Sequence, residues 1–76
     1  MSEAYRNRVE ELTEILREAV DTIIRRKKFS LDDASDVYFT LAKLEEMGVG
    51  LDDLGFNRKD RELLDEIRKD YLAREH

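Results

Sequence analysis

Two sets of carboxylates are spaced so that their members could act together. Glu62, Glu66 and Asp70 follow one another at intervals of four residues, and the same interval separates three earlier residues, Glu10, Glu14 and Glu18. Residues four apart share one face of a helix, so either set could bind a cation weakly. The polar side of an amphipathic helix has the same pattern, and we prefer that simpler interpretation. We therefore predict no metal site.

The residue types that enzymes use as nucleophiles and general bases are scarce. The chain has no cysteine and a single histidine, His76, at its last position. A serine needs a base to become a nucleophile, and no histidine is available to Ser2, Ser30 or Ser35. A general acid or base needs a partly buried group with a shifted pKa, whereas every carboxylate is expected on a polar helix face. We predict that the chain is not an enzyme and uses no cofactor.

Basic residues cluster twice, in residues 25–28 (RRKK) and residues 58–61 (RKDR). A split basic surface of this kind would suit a nucleic-acid-associated regulator, because phosphate contacts dominate such binding. Cations are also favourable at the end of a helix, where the dipole is negative, and the acidic pair Asp32 and Asp33 follows the first cluster closely. The net charge of −5 opposes phosphate binding as well. Nucleic-acid binding is therefore the less favoured alternative.

Three large apolar residues, Val37, Tyr38 and Phe39, follow one another in what otherwise has the pattern of a surface helix. At about 100° per residue, one narrow arc must face the core, formed by Ala34, Val37, Leu41 and Leu44. Phe39 lies opposite this arc, so we expect its ring to point toward solvent among acidic side chains. An aromatic ring in a polar surround is typical of an interface anchor and its rim.

We predict that this part of the helix binds a partner, with five residues at the contact: Phe39, Tyr38, Asp32, Asp36 and Glu46. The alternative is that the connector at residues 48–57, or the loop containing Phe29, folds over Phe39 and covers it. Residues 30–47 contain five acidic side chains and one basic side chain. The expected partner is therefore a basic or neutral protein, and a homodimer through helix 1 or helix 2 is the nearest variant.

Three predicted helices position these residues. Helix 1 spans residues 3–28, because apolar residues recur at steps of four and three, at Tyr5, Val9, Leu12, Leu16, Ala19 and Ile23. We expect its buried stripe to be widened by Ile15, Val20 and Ile24. Helix 2 spans residues 31–47, between the N-cap Ser30 and Gly48, a residue suited to a left-handed C-cap.

Helix 3 follows the N-cap Asn57 and reaches about Arg74, with an apolar face formed by Leu63, Leu64, Ile67, Tyr71 and Leu72. In the connector before it, we expect three residues to fold over the end of the core: Leu51, Leu54 and Phe56. Proline is absent and glycine appears three times, which favours few, long elements. We predict an all-α, single-domain protein over residues 1–76, a small three-helix bundle that allows a short fourth helical turn at residues 51–54.

No apolar run approaches the ~20 residues that a membrane span needs, and the polar start MSEAYRNRVEEL is unlike a secretory signal. We expect a soluble, cytoplasmic protein without a membrane partner, which acts by binding another protein. A third hypothesis is an engineered helical bundle with no natural function, since cysteine, proline and tryptophan are all absent. The irregular connector and the outward Phe39 argue against this hypothesis, because idealised designs avoid both features.

Overall fold

The computed structural model describes the backbone of residues 2–75 and the side chains of residues 2–74. This part of the chain forms three α-helices, α1 (Glu3–Arg26), α2 (Leu31–Glu46) and α3 (Arg58–Glu75), and a 3₁₀ turn at Leu51–Asp53. No strand occurs among these residues. The predicted all-α three-helix bundle is therefore confirmed. His76 lies outside the described residues.

Side chains that accept hydrogen bonds from the first turn set the starts of α2 and α3. Ser30 forms a capping box with Asp33: the serine Oγ accepts from the Asp33 N–H at 3.2 Å, and the Asp33 carboxylate accepts from the Ser30 N–H at 3.0 Å. Asn57 Oδ1 accepts from the backbone N–H of Asp60 at 2.8 Å. These contacts satisfy N–H groups that a helix start leaves without partners. The predicted caps at Ser30 and Asn57 are confirmed.

Left-handed residues end α1 and α2. Gly48 has a φ of 79°, and the N–H of Val49 donates to the Leu44 carbonyl at 2.9 Å, so the predicted glycine C-cap is confirmed. The end predicted for helix 1, residue 28, is two residues too late. Lys27 adopts a φ of 59° and its N–H donates to the Ile23 carbonyl, which turns the chain away after Arg26.

The hydrophobic core lies between the three helices. Its buried apolar residues are Leu12, Leu16, Val20, Ile23, Ala34, Val37, Leu41, Leu44, Leu54, Phe56, Leu64 and Ile67. All four residues predicted for the inner face of α2 belong to this set. Leu54 and Phe56 come from the connector and close one end of the core, while Leu51 packs against it partly buried, as the sequence predicted.

Three apolar residues predicted to lie on buried faces remain exposed. Ile15 and Ile24 of α1 are 45% and 56% exposed, and Leu72 of α3 is 39% exposed. For α1 the reason is that the helix packs mainly against α2 and much less against α3. Only a narrow stripe of α1 is then covered, and the flanks of that stripe reach solvent.

The neighbouring helices run antiparallel to one another. The Tyr5 hydroxyl near the start of α1 donates to the Met47 carbonyl at the end of α2. Near the end of α2, Glu45 is 2.9 Å from Arg68 Nη1 of α3, and Tyr38, earlier in α2, meets Tyr71, later in α3. A short loop after α1 and a longer connector with a 3₁₀ turn after α2 join these antiparallel neighbours in an up-down-up order.

Candidate protein-binding surface

Three aromatic rings meet where α2 and α3 pack together, and we call Tyr38, Phe39 and Tyr71 the aromatic patch. The ring centroids of Tyr38 and Tyr71 are 4.9 Å apart, with the ring planes 30° from parallel. Phe39 approaches both tyrosines edge-on, at 5.3 Å from Tyr38 and 5.9 Å from Tyr71. Both tyrosines are partly buried, whereas Phe39 is 51% exposed. The patch is therefore a supported platform with one ring open to solvent.

The helical phase of α2 explains the orientation of Phe39. Val37 and Leu41 are 0% and 2% exposed, and Phe39 lies two residues from each, about 200° around the helix. Neither the connector at residues 48–57 nor the loop containing Phe29 covers Phe39 in the structure. Phe29 packs against the core instead, partly buried, and Phe56 of the connector is 7% exposed within the core. The ring therefore points outward as the spacing predicted.

The acidic residues predicted beside Phe39 follow the same outer line of α2. Asp32 and Asp36 precede Phe39 by seven and three residues, Glu46 follows it by seven, and all three are exposed; we call these three residues the acidic stripe. Among the side chains that the structure describes, none of the three carboxylates has a cation within 4.0 Å. One cation, Lys43, lies on the same line, four residues after Phe39.

An ion-pair network beside the aromatic patch connects α2 to α3. Arg68 Nη1 is 2.9 Å from Glu45 Oε1, Arg68 Nη2 is 2.7 Å from Asp65 Oδ1, and Lys69 Nζ is 3.0 Å from Asp65 Oδ2. The hydrogen bond from Arg68, followed by that from Lys69, holds the pKa of the Asp65 carboxyl below its ordinary value, although partial burial acts in the opposite direction. The network helps to fix the relative position of the two helices that carry the patch.

Sequence reasoning missed the parts of this surface that α3 contributes. The sequence places Tyr71 on the apolar face of helix 3 and predicts no contact between Arg68 and another helix. The period of a helix places residues on a face, but the axial offset between two helices follows from how their side chains interlock. The sequence contains no pattern that pairs Tyr71 with Tyr38. Its one hint is that the chain has only six aromatic residues, which leaves few possible aromatic pairs.

The two basic clusters lie at opposite ends of α2. Residues 25–28 precede the start of α2, whereas Arg61 Nη1 is 3.1 Å from Asp52 Oδ1, beyond the end of α2. A helix of 16 residues is about 24 Å long. Arg58 is also paired, with Glu62 at 3.0 Å. These residues therefore do not form one continuous cationic surface.

Three of the six carboxylates considered as cation ligands, Glu14, Glu62 and Asp70, take part in ion pairs. Glu62 lies beside Arg58, and Asp70 Oδ2 is 2.8 Å from Arg74 Nε. Within the described residues, no group of three or more histidine, cysteine or acidic side chains has a geometry that could hold a metal ion. The same part of the chain contains no helix that is both long and apolar enough to span a membrane.

Comparisons with protein families, with curated proteins and with solved structures found no match to this chain.

Proposed function

We propose that this chain is a non-enzymatic protein-binding module whose partner docks on the aromatic patch. The observation that carries the proposal is the 51% exposure of Phe39 on a platform of two tyrosines. Large exposed aromatic rings are enriched among the residues that dominate binding energy at protein interfaces. In this proposal Tyr38 and Phe39 are the anchors, the same two residues as in the sequence-based prediction, and Tyr71 joins them.

The area left open on Phe39 is large enough to matter for binding. A phenylalanine side chain offers roughly 200 Å² of surface, so covering the exposed half removes about 100 Å² of apolar area from water. At about 25 cal/mol per Å², this burial contributes roughly 2.5 kcal/mol. The ring is already held by contacts with two helices, so its ordering adds little to the entropic cost of binding.

The acidic stripe defines the charge of the partner. Asp32, Asp36 and Glu46 are exposed along one line on both sides of Phe39, and a surface of this sign attracts a basic segment and disfavours an acidic one. The partner proposed here therefore presents an apolar surface that receives Phe39, flanked by lysine or arginine. Such a contact associates faster at low salt, because surface charges are screened at high salt.

A display library of random helical peptides tests the proposal with three versions of the protein as targets: the wild type, Phe39→Asp and Ile15→Asp. Ile15 is an exposed apolar residue of α1 outside the patch, so its variant is a matched control. We expect selected peptides to be rich in lysine and arginine and to bind the wild type and Ile15→Asp alike. Their affinity for Phe39→Asp should be at least about 30-fold weaker.

Two outcomes would contradict the proposal. Peptides that bind Phe39→Asp as tightly as the wild type would show that the contact lies elsewhere. A selection that yields no binder would favour a bundle without a binding function. Titration with random duplex DNA completes the test, because binding that falls steeply with salt would support the nucleic-acid alternative instead.

A further inference from the structure

A second surface of the molecule has the opposite charge to the acidic stripe. A groove of about 450 Å³ lies between the end of α1, the loop that follows it, and α3. Its apolar lining consists of Ile23, Ile24, Phe29 and Leu63, and its charged lining consists of Lys27, Lys28 and Arg74. We call it the basic groove. Every charged side chain that lines it is a cation.

Parts of the basic groove lack a partner within the described molecule. Ile24 is 56% exposed, which leaves a large apolar side chain in water at the groove. Arg74 is paired with Asp70, but neither Lys27 nor Lys28 has a described carboxylate within 4.0 Å. The groove therefore offers an open apolar floor and two available ammonium groups.

The aromatic patch and the acidic stripe have the complementary properties. Phe39 is an exposed apolar anchor, and Asp32 and Asp36 place two carboxylates within two helical turns of it. We propose that the basic groove of one copy receives Phe39 of a second copy, with Lys27 and Lys28 facing Asp32 and Asp36. This inference rests on the proposed function and names its partner as the chain itself.

The contact joins two different surfaces, so it is heterologous. The patch lies on the α2–α3 side of the molecule and the groove on the α1–α3 side. Lys28 of the groove and Asp32 of the acidic stripe line one depression on the same copy, so the two surfaces adjoin. A pair joined through one groove still leaves one groove and one patch unused, so the association continues into a ring or a chain. The net charge of −5 on every copy opposes association at long range, so a weak contact is expected.

Sedimentation velocity on the wild type, Phe39→Asp, Ile24→Asp and the control Ile15→Asp tests the inference. Phe39, Ile24 and Ile15 are all about half exposed, so the three variants should fold, which circular dichroism checks. The average mass of the wild type and of Ile15→Asp should rise between about 10 µM and about 1 mM. Phe39→Asp and Ile24→Asp should each remain monomeric, with dissociation constants at least about 30-fold higher.

An equimolar mixture of the two monomeric variants is the decisive sample. The intact patch of Ile24→Asp should enter the intact groove of Phe39→Asp, so a one-to-one dimer should form with the wild-type affinity per contact. If Ile24→Asp does not fold, Lys28→Glu replaces it. In that case Lys28→Glu should self-associate more weakly than the wild type. Association should return when Lys28→Glu is mixed with Asp36→Lys, because the exchanged charges at the contact are again opposite.

A wild type that stays monomeric at about 1 mM overturns the inference, and so does a mixture as monomeric as its components. Equal loss of association in Ile15→Asp would also overturn it. The proposed function fails separately. If the wild type is monomeric but selected peptides bind it through Phe39, the proposed function holds with a foreign partner. If the peptides bind equally well without Phe39, the proposed function is wrong.

Discussion

Tyr71 of α3 stacks on Tyr38 of α2, with the ring centroids 4.9 Å apart and the planes 30° from parallel. The pair lies at the edge of the bundle, because neither tyrosine is among the fully buried residues. It therefore connects the two helices outside the aliphatic core. Both of its rings also contact Phe39 edge-on, which makes the pair important for the stability of the platform as well as for its shape.

A double-mutant cycle on Tyr38→Leu and Tyr71→Leu should reveal this connection. Aromatic pairs in offset or edge-on contact contribute about 0.5–1.5 kcal/mol beyond the area they bury. We expect a coupling free energy of unfolding in that range, measured by urea denaturation of the wild type, the single variants and the double variant. The matched control combines Tyr38→Leu with Tyr5→Leu, because Tyr5 contacts Met47, nine residues after Tyr38. A coupling free energy equal to that of the control would mean that the stacked tyrosines add nothing to stability beyond the area they bury.

Phe39→Asp should lower the free energy of unfolding by about 1 kcal/mol. The half-exposed ring gives up little buried area, and the main loss is its edge-on contact with the two tyrosines. Chemical denaturation measures the change. A loss above about 3 kcal/mol is the size expected of a core phenylalanine, and such a result would show that the ring is enclosed in solution.

Leu41→Ala should lower the free energy of unfolding by about 2–5 kcal/mol, because Leu41 is 2% exposed and its truncation leaves a cavity. Leu31→Ala is the control on the same helix. Leu31 is 44% exposed, so its truncation should cost less than about 1 kcal/mol. Urea denaturation compares the two, and equal costs would mean that α2 is rotated about its axis from the orientation described.

Acid should weaken the fold through Asp65. Its pKa is lowered in the folded state by Arg68 first and by Lys69 second. A carboxyl with a lowered folded pKa adds stability above its unfolded pKa, and that stability is lost as the pH falls through the folded pKa. Asp65→Asn should therefore lose less stability than the wild type between about pH 5 and about pH 2. The difference should be below about 1 kcal/mol, since the ion pair is partly exposed and screened.

Carboxyl NMR titration of Asp65 separates the two cations. Arg68→Met should raise the Asp65 pKa toward its ordinary value, because it removes the largest single cause, and Lys69→Met should raise it as well. An Asp65 pKa that does not change in Arg68→Met would contradict the assigned cause. Rising salt should also raise this pKa in the wild type, because ions screen the attraction between the carboxylate and both cations.

The sequence was most informative about features that one helix determines alone. Ser30 is an N-cap and Gly48 a left-handed C-cap, because their neighbours along the chain supply the hydrogen bonds. The buried face of α2 follows from 100° per residue once Val37 and Leu41 are taken as core. The outward direction of Phe39 follows from the same rotation. Local periodicity is thus sufficient for the fold class and for this side chain.

Features that depend on the packing of two helices could not be predicted from the period of either helix. Ile15 and Ile24 match the apolar period of α1, but their exposure depends on how far α3 reaches around α1. The meeting of Tyr71 with Tyr38 likewise depends on the axial offset of α3, which side-chain interlocking sets. The binding role of the aromatic patch remains a prediction, because it concerns a second molecule.

The end of α1 places a lysine where glycine is the usual residue. Among the described residues other than glycine, Lys27 alone has a positive φ, 59°, a conformation that costs an L-residue about 1–2 kcal/mol. Replacing Lys27 with glycine would relieve this strain and raise the melting temperature, but it would also remove an ammonium group from the basic groove. At this single backbone position, the change that raises the melting temperature is therefore expected to weaken the proposed self-association.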